Sequence, residues 1–183
     1  MNQTNLASYT TGDYDTGAGS LKRITWYFVN VIFFLNPLNP VGRLKVALLR
    51  LFGARVGKGV VIKPGVNIKY PWKLTVGDHC WIGEKAWIDN LANVEIGNHC
   101  CISQGAMLLC GNHNFRKSTF DLITLQIVLH DGAWVGAQSV VCPGVVCGSH
   151  SVLAVNSVAT RSLEPYSIYQ GNPAVKVKDR IIQ

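Results

Sequence analysis

An aliphatic residue, often followed at once by glycine or another small residue, recurs every six positions through most of this 183-residue chain. The beat reads Val56-Gly57, Ile62, Ile68, Leu74, then Val76-Gly77, Ile82-Gly83, Ile88, Val94, then Ile96-Gly97, Ile102-Ser103, Leu108. It resumes at Leu129, Val135-Gly136, Val141, Cys147-Gly148, Leu153-Ala154 and Ala159. Amphipathic helices repeat at about 3.6 residues and half-buried strands at two, so a sustained six is neither. It specifies short strands stacked as a solenoid, in which each unit buries its apolar face against its neighbours. Gly57, Gly77 and Gly97 are twenty apart, which is three hexapeptides plus a two-residue insertion. Three strands per turn make a triangular coil, with aliphatic side chains inside and Gly, Asp and Asn at the corners. The fold class is an all-β solenoid.

Outside the beat the chain divides into distinct stretches. Residues 1–19 are polar and rich in Thr, Gly and Asn, and read as an extended or poorly ordered arm. Residues 20–52 change period. An apolar run from Trp26 to Leu35 is followed by Pro37 and Pro40, and Arg43–Phe52 has the pattern of a short amphipathic helix. The run is shorter than the roughly 20 residues that span a bilayer. Capping the open end of the solenoid is the simplest role for this segment; monotopic contact with a membrane, aided by Lys22, Arg23, Arg43, Lys45 and Arg50, is the other. The solenoid itself covers 53–164, with one interruption at about 111–126 that reads as a protruding loop, and 165–183 form a basic tail. Loops that break a regular scaffold are where binding and catalytic residues concentrate.

The formal charge of +7 suits an anionic small molecule or membrane surface. No dense Lys/Arg run interleaved with aromatics is present, which argues against nucleic acid. Six cysteines include no Cys-x-x-Cys, and Cys80 and Cys100 fall where other repeats carry alanine or serine, so buried packing in a reducing cytoplasm is expected. Among five histidines, His79, His99 and His150 repeat one corner position, and His130 stands where the beat restarts. His113 alone lies where the repeat breaks.

Together these residues resemble the hexapeptide-repeat acyltransferases of the left-handed β-helix fold. The likeness runs over about Val56 to Lys178, and includes Gly111-Asn-His113, Ala133-Trp-Val-Gly-Ala137, Pro143-Gly-Val145 and Gly171-Asn-Pro-Ala174. Within that superfamily the apolar N-terminal segment and Tyr70-Pro-Trp-Lys-Leu74 are most similar to the colanic-acid-type exopolysaccharide O-acetyltransferases. The left hand comes from the resemblance alone, because parallel crossovers are otherwise right-handed.

The resemblance implies acetyl transfer from acetyl-CoA to a saccharide hydroxyl, in a homotrimer with sites between subunits and no metal requirement. Family members carry their catalytic histidine seventeen places after the aliphatic of an Ile-Gly pair, and Ile96-Gly97 leads to His113 at that spacing. A histidine suits the task, since its ordinary pKa lies near neutrality. Asp89 and Asn90, one coil earlier, correspond to an acceptor-binding region, although a corner Asp-Asn is equally ordinary. Asn112 and Asn114 flank the histidine and either orient it or favour a turn. Coenzyme contacts are implied for Trp134, Gly136, Ala137, Val155, Thr160 and Arg161, with Lys176, Lys178 and Arg180 available to phosphates. Direct transfer is favoured over an acyl-cysteine, Cys110 being the nearest thiol in sequence. The setting implied is cytoplasmic, with 20–52 a candidate for contact with the inner membrane face. Alternatives are another small acceptor such as a nucleotide sugar or serine, a non-catalytic assembly module, and a γ-type carbonic anhydrase. The last lacks the His-x4-His spacing that zinc would need.

Overall fold

The computed structural model describes residues 3–183. The hexapeptide beat becomes a parallel β-solenoid of about six turns with three faces. Face one stacks Arg55–Val56, Leu74–Val76, Val94–Ile96, Ile127–Leu129 and Val146–Cys147. Face two stacks Val61–Ile62, Trp81–Ile82, Cys101–Ile102, Trp134–Val135, Val152–Leu153 and Ser167–Gly171, and ends on the antiparallel strand Ala174–Asp179. Face three stacks Asn67–Ile68, Trp87–Asp89, Met107–Leu109, Val140–Val141 and Val158–Ala159.

Register follows from the beat, because a one-residue slip would turn every aliphatic outward. Val56, Val76, Ile96, Leu129 and Cys147 pair in sequence up face one, and all are buried. Ile62, Ile82, Ile102, Val135 and Leu153 do the same on face two, and Ile68, Ile88, Leu108, Val141 and Ala159 on face three. Cys80 and Cys100 are buried free thiols in the same interior.

The corners explain the polar residues. Where face one turns into face two, the Asp78 carboxylate accepts from Lys58 N–H, Asn98 Oδ1 from Asp78 N–H, and Asp131 Oδ1 from Asn98 N–H, each at 2.8 Å. At that corner His79 and His99 take left-handed backbone, φ 56° and 55°, and stack with ring centroids 5.3 Å apart. Gly77 has no room for a side chain: a Cβ there would stand 2.7 Å from the Gly97 backbone of the next coil.

Residues 20–52 cover the first coil. Helix α1 (Ser20–Val29) continues as a π-helical stretch, Asn30–Leu35, and α2 spans Gly42–Leu51. Trp26, Asn30 and Phe34 recur four apart and are buried together. Trp26 Nε1 donates to Ile68 O (2.8 Å), and its ring meets Phe34 and Phe52, each at 5.2 Å. From α2, Leu49 and Lys45 are buried, Lys45 Nζ donating to Lys63 O, and Arg50 donates to the Val56 and Gly57 carbonyls. The other side of α1 and its extension stays apolar yet exposed, through Leu21, Ile24, Phe28, Val31, Ile32 and Leu35. No helix of the described residues is long and apolar enough to cross a membrane.

The expected loop at 111–126 contains an antiparallel hairpin, Gly111–His113 against Leu122–Thr124. Residues 3–19 of the arm, which the composition suggested would be extended or poorly ordered, make specific contacts along the coil; residues 1 and 2 lie outside the described residues.

Candidate active site

The hairpin leaves the solenoid where face three turns toward face one, between Leu109 and Ile127. Its base is set by the scaffold: Cys110 N–H donates to Asp89 O (3.2 Å), and Leu125 N–H to Cys110 O (3.0 Å). His113 ends the first strand of the hairpin, half-buried, paired with Leu122. Its Nδ1 lies 3.1 Å from Phe120 O, and its ring stacks on Phe120 at 4.4 Å with a 10° interplanar angle. A carbonyl oxygen only accepts, so Nδ1 carries a proton, and in the neutral imidazole the lone pair is on Nε2. Phe120 holds this position with φ 51°, a left-handed conformation that a non-glycine residue adopts at a cost. Tyr9, from the arm, is the second ring on His113, with centroids 5.7 Å apart.

Neither flanking asparagine orients the imidazole. Asn112 Oδ1 accepts from the His113 backbone N–H (2.8 Å), and Asn114 Oδ1 accepts from Arg116 N–H (3.2 Å), so both shape the turn. Asp89 and Asn90 separate in role. Asp89 is mostly buried and pairs with Lys69 Nζ at 3.1 Å, and a Cβ on Gly111 would lie 3.8 Å from Asp89 Oδ2, so its carboxylate reaches the hairpin base. Asn90 is wholly buried, its amide bonded to both the N–H and the C=O of Tyr70. Its hydrogen-bonding capacity is committed to the coil.

Cys110 is buried, and desolvation pushes its thiol up to about 11, so it stays protonated near neutrality. Beside it Tyr14 Oη and Lys73 Nζ both donate to Leu91 O, at 3.0 and 2.7 Å. Burial raises the Tyr14 hydroxyl well above its ordinary pKa and lowers the Lys73 ammonium.

The coenzyme positions fall into three places. Gly136, Ala137 and Val155 form the edge between faces two and three, with exposed Trp134 beside them on face two, its Nε1 donating to Ser103 Oγ (2.9 Å). A Cβ on Gly136 would stand 2.6 Å from Leu153 O, so close stacking of the coils already requires glycine there. Thr160 and Arg161 are exposed on the edge between faces three and one, the edge that carries His113. Lys176 and Lys178 lie on the terminal antiparallel strand, and Lys176 Nζ is paired with Glu164 (3.0 Å) and Asp179 (2.8 Å). Arg180 donates to Gly132 O and His150 O, away from both edges. One chain therefore does not bring His113 together with Trp134, Gly136, Ala137 and Val155. A cavity of about 380 Å³ between α1 and face three, lined by Trp26, Tyr27, Lys69, Tyr70 and Trp87 among others, does not include His113. Among the described residues no group of three His, Cys, Asp or Glu side chains stands close enough to hold a metal ion.

Sequence reasoning missed Phe120 and Tyr9. Both are aromatic residues in stretches without periodicity, and only the folded hairpin and arm bring them to His113.

No family model matches the chain. It is 36% identical over 165 residues, 90% of its length and 91% of the relative's, to the protein named "Putative colanic acid biosynthesis acetyltransferase WcaF" of Escherichia coli (strain K12). In fold it is similar to a hexapeptide-repeat-containing acetyltransferase from Vibrio cholerae O1 biovar eltor, solved with acetyl coenzyme A, with a TM-score of 0.82 at 20% identity, covering 96% of this chain and 97% of that one. It also resembles a maltose O-acetyltransferase from Clostridium difficile 630, with a TM-score of 0.76 at 17% identity and 90% of each chain covered. With the three-faced parallel coil and a relative this similar along nearly its whole length, the chain belongs to the hexapeptide-repeat acetyltransferases of the left-handed β-helix fold.

Proposed function

We propose that the protein transfers an acetyl group from acetyl-CoA to a hydroxyl of a saccharide, with His113 as general base. The observation that carries this reading is the Phe120 carbonyl on His113 Nδ1, which leaves Nε2 as the free basic nitrogen on a hairpin standing clear of the coil. Nε2 takes the proton from the acceptor hydroxyl as that oxygen attacks the thioester carbonyl. The tetrahedral oxyanion then collapses, the C–S bond breaks, and the CoA thiolate leaves with the proton returned by the imidazolium. The protonated, buried Cys110 thiol supports direct transfer over an acyl-enzyme. The saccharide class is supported by the names of the relatives, one in colanic acid biosynthesis and one a maltose O-acetyltransferase.

In this reading the working unit is a homotrimer with its sites between subunits. A cyclic arrangement sets the His113 edge of one copy against the Trp134, Gly136, Ala137 and Val155 edge of the next, and so joins two residue sets that one chain keeps apart. Asp89 is the retained acceptor-side candidate. Arg161 and Lys178, which carry no ion pair among the described residues, are the cations left for the coenzyme phosphates. The protein acts in the cytoplasm against the inner membrane face, through the exposed apolar side of α1 flanked by Lys22 and Arg23.

The test is thiol release from acetyl-CoA against a panel of methyl pyranosides, wild type beside His113→Ala. Removing a general base lowers turnover by about 10²-fold or more. Full turnover by His113→Ala would overturn the base assignment, and no turnover of any pyranoside by the wild type would overturn the acceptor class.

A further inference from the structure

The arm does not run free past the hairpin. Between residues 14 and 16 it is held to the ends of the first and second coils: Trp72 Nε1 donates to Thr16 O (2.7 Å), Lys73 Nζ to Asp15 O (2.6 Å), and Tyr14 Oη to Leu91 O (3.0 Å). The Lys73 ammonium also sits 4.7 Å over the Tyr14 ring. Further toward the N-terminus the arm joins the hairpin itself. Leu122 N–H donates to Thr10 O (3.3 Å), and Asn5 N–H to Ser118 O (2.8 Å). These backbone bonds bracket Tyr9, whose ring packs on His113 while remaining 39% exposed.

We propose that the arm forms the acceptor side of the site, with Tyr9 a stacking platform for the pyranose whose hydroxyl meets His113; this rests on the saccharide and base assignments above. Geometry carries the argument. A hydroxyl within hydrogen-bond reach of Nε2 belongs to a sugar ring only a few ångströms wide, and a tyrosine ring centred 5.7 Å from the imidazole lies within its reach. Aromatic faces are electron-rich and apolar, which matches the C–H face of a pyranose and leaves the hydroxyls free for polar partners. No hydrogen bond fixes the Tyr9 hydroxyl among the described residues, so it is the ring face that acts. Two anchored ends around an exposed aromatic residue are the mark of a preorganised binding element.

The experiment uses the full chain and, from the panel above, the methyl pyranoside turned over best by the wild type, with glycerol as an acyclic acceptor. Tyr9→Ala is expected to lower kcat/KM for the pyranoside about tenfold, mainly through acceptor KM, as loss of an aromatic contact predicts. KM for acetyl-CoA and turnover of glycerol should change less than twofold, and Tyr9→Phe should restore the pyranoside KM. An unchanged pyranoside KM in Tyr9→Ala overturns the proposal while leaving the base assignment intact. Equal losses with pyranoside and glycerol overturn it too, because they mean Tyr9 only props His113. If the wild type turns over no pyranoside, the saccharide reading fails and this inference falls with it. Tyr9 lies in the arm and outside the solenoid core, and a melting temperature matching the wild type confirms that Tyr9→Ala is folded.

Discussion

His113 and Asn90 show how differently two polar residues in adjacent coils are used. His113 stands on a projecting hairpin, with one nitrogen held by Phe120 O and the other left for chemistry. Asn90 is enclosed and bonded on both sides to the Tyr70 backbone. Asn90→Ala takes the side-chain partner from the Tyr70 N–H, at about 1–3 kcal/mol, while Tyr70 O keeps the bond from Lys73 N–H (3.0 Å). The expected result is a clear fall in melting temperature, with acceptor KM unchanged for the folded fraction. A changed KM with no loss of stability would return Asn90 to the binding site. The sequence marks His113 because it interrupts a period. It leaves Asp89 and Asn90 equivalent, since a corner dipeptide reads the same whether it faces the coil or a ligand. Tyr9 and Phe120 carry no periodic signal and are visible only once the arm has closed on the hairpin.

At the scale of elements, the coils follow almost directly from the beat, since each hexapeptide carries its own inward aliphatic residue. The hairpin does not, because its three-residue strands Gly111–His113 and Leu122–Thr124 are too short for an alternating pattern. Helix α1 and its π-helical extension have one covered side and one exposed apolar side. Trp26, Asn30 and Phe34 close the end of the coil, while Leu21, Ile24, Phe28 and Ile32 leave a second apolar stripe uncovered in the single chain. Ile24→Glu with Phe28→Glu should leave melting unchanged within about 0.5 kcal/mol, as exposed substitutions do. It should also abolish cosedimentation with vesicles containing anionic lipid. Retained vesicle binding by this variant would remove α1 as the membrane contact; a change of oligomeric state would reassign the stripe to contacts between copies.

At the scale of the whole molecule, the homotrimer proposed above makes activity a property of neighbouring copies, because one chain keeps His113 apart from Trp134, Gly136, Ala137 and Val155. Val155→Trp fills the proposed groove beside Gly136 and is expected to be nearly inactive, as is His113→Ala. Mixed after dissociation and reassembly in equal amounts, the two should recover about one quarter of wild-type activity, the fraction of interfaces that pair an intact histidine edge with an intact groove. No recovery, despite confirmed mixed oligomers, would place the whole site in one chain.

Every coil of a solenoid is a template for another, so a stack with a bare end invites indefinite growth. Here the last parallel strand, Ser167–Gly171, is met by Ala174–Asp179 running the other way, with exposed Lys176 and Lys178 along it. A reversed strand offers the wrong direction to an incoming parallel coil, and Lys178, exposed on its rim, disfavours pairing with a second copy bearing the same charge. The helices occupy the opposite end. The molecule is thus a segment of fibre with a stop at each end of its coil, and Lys178, proposed above for the coenzyme phosphates, also limits its length.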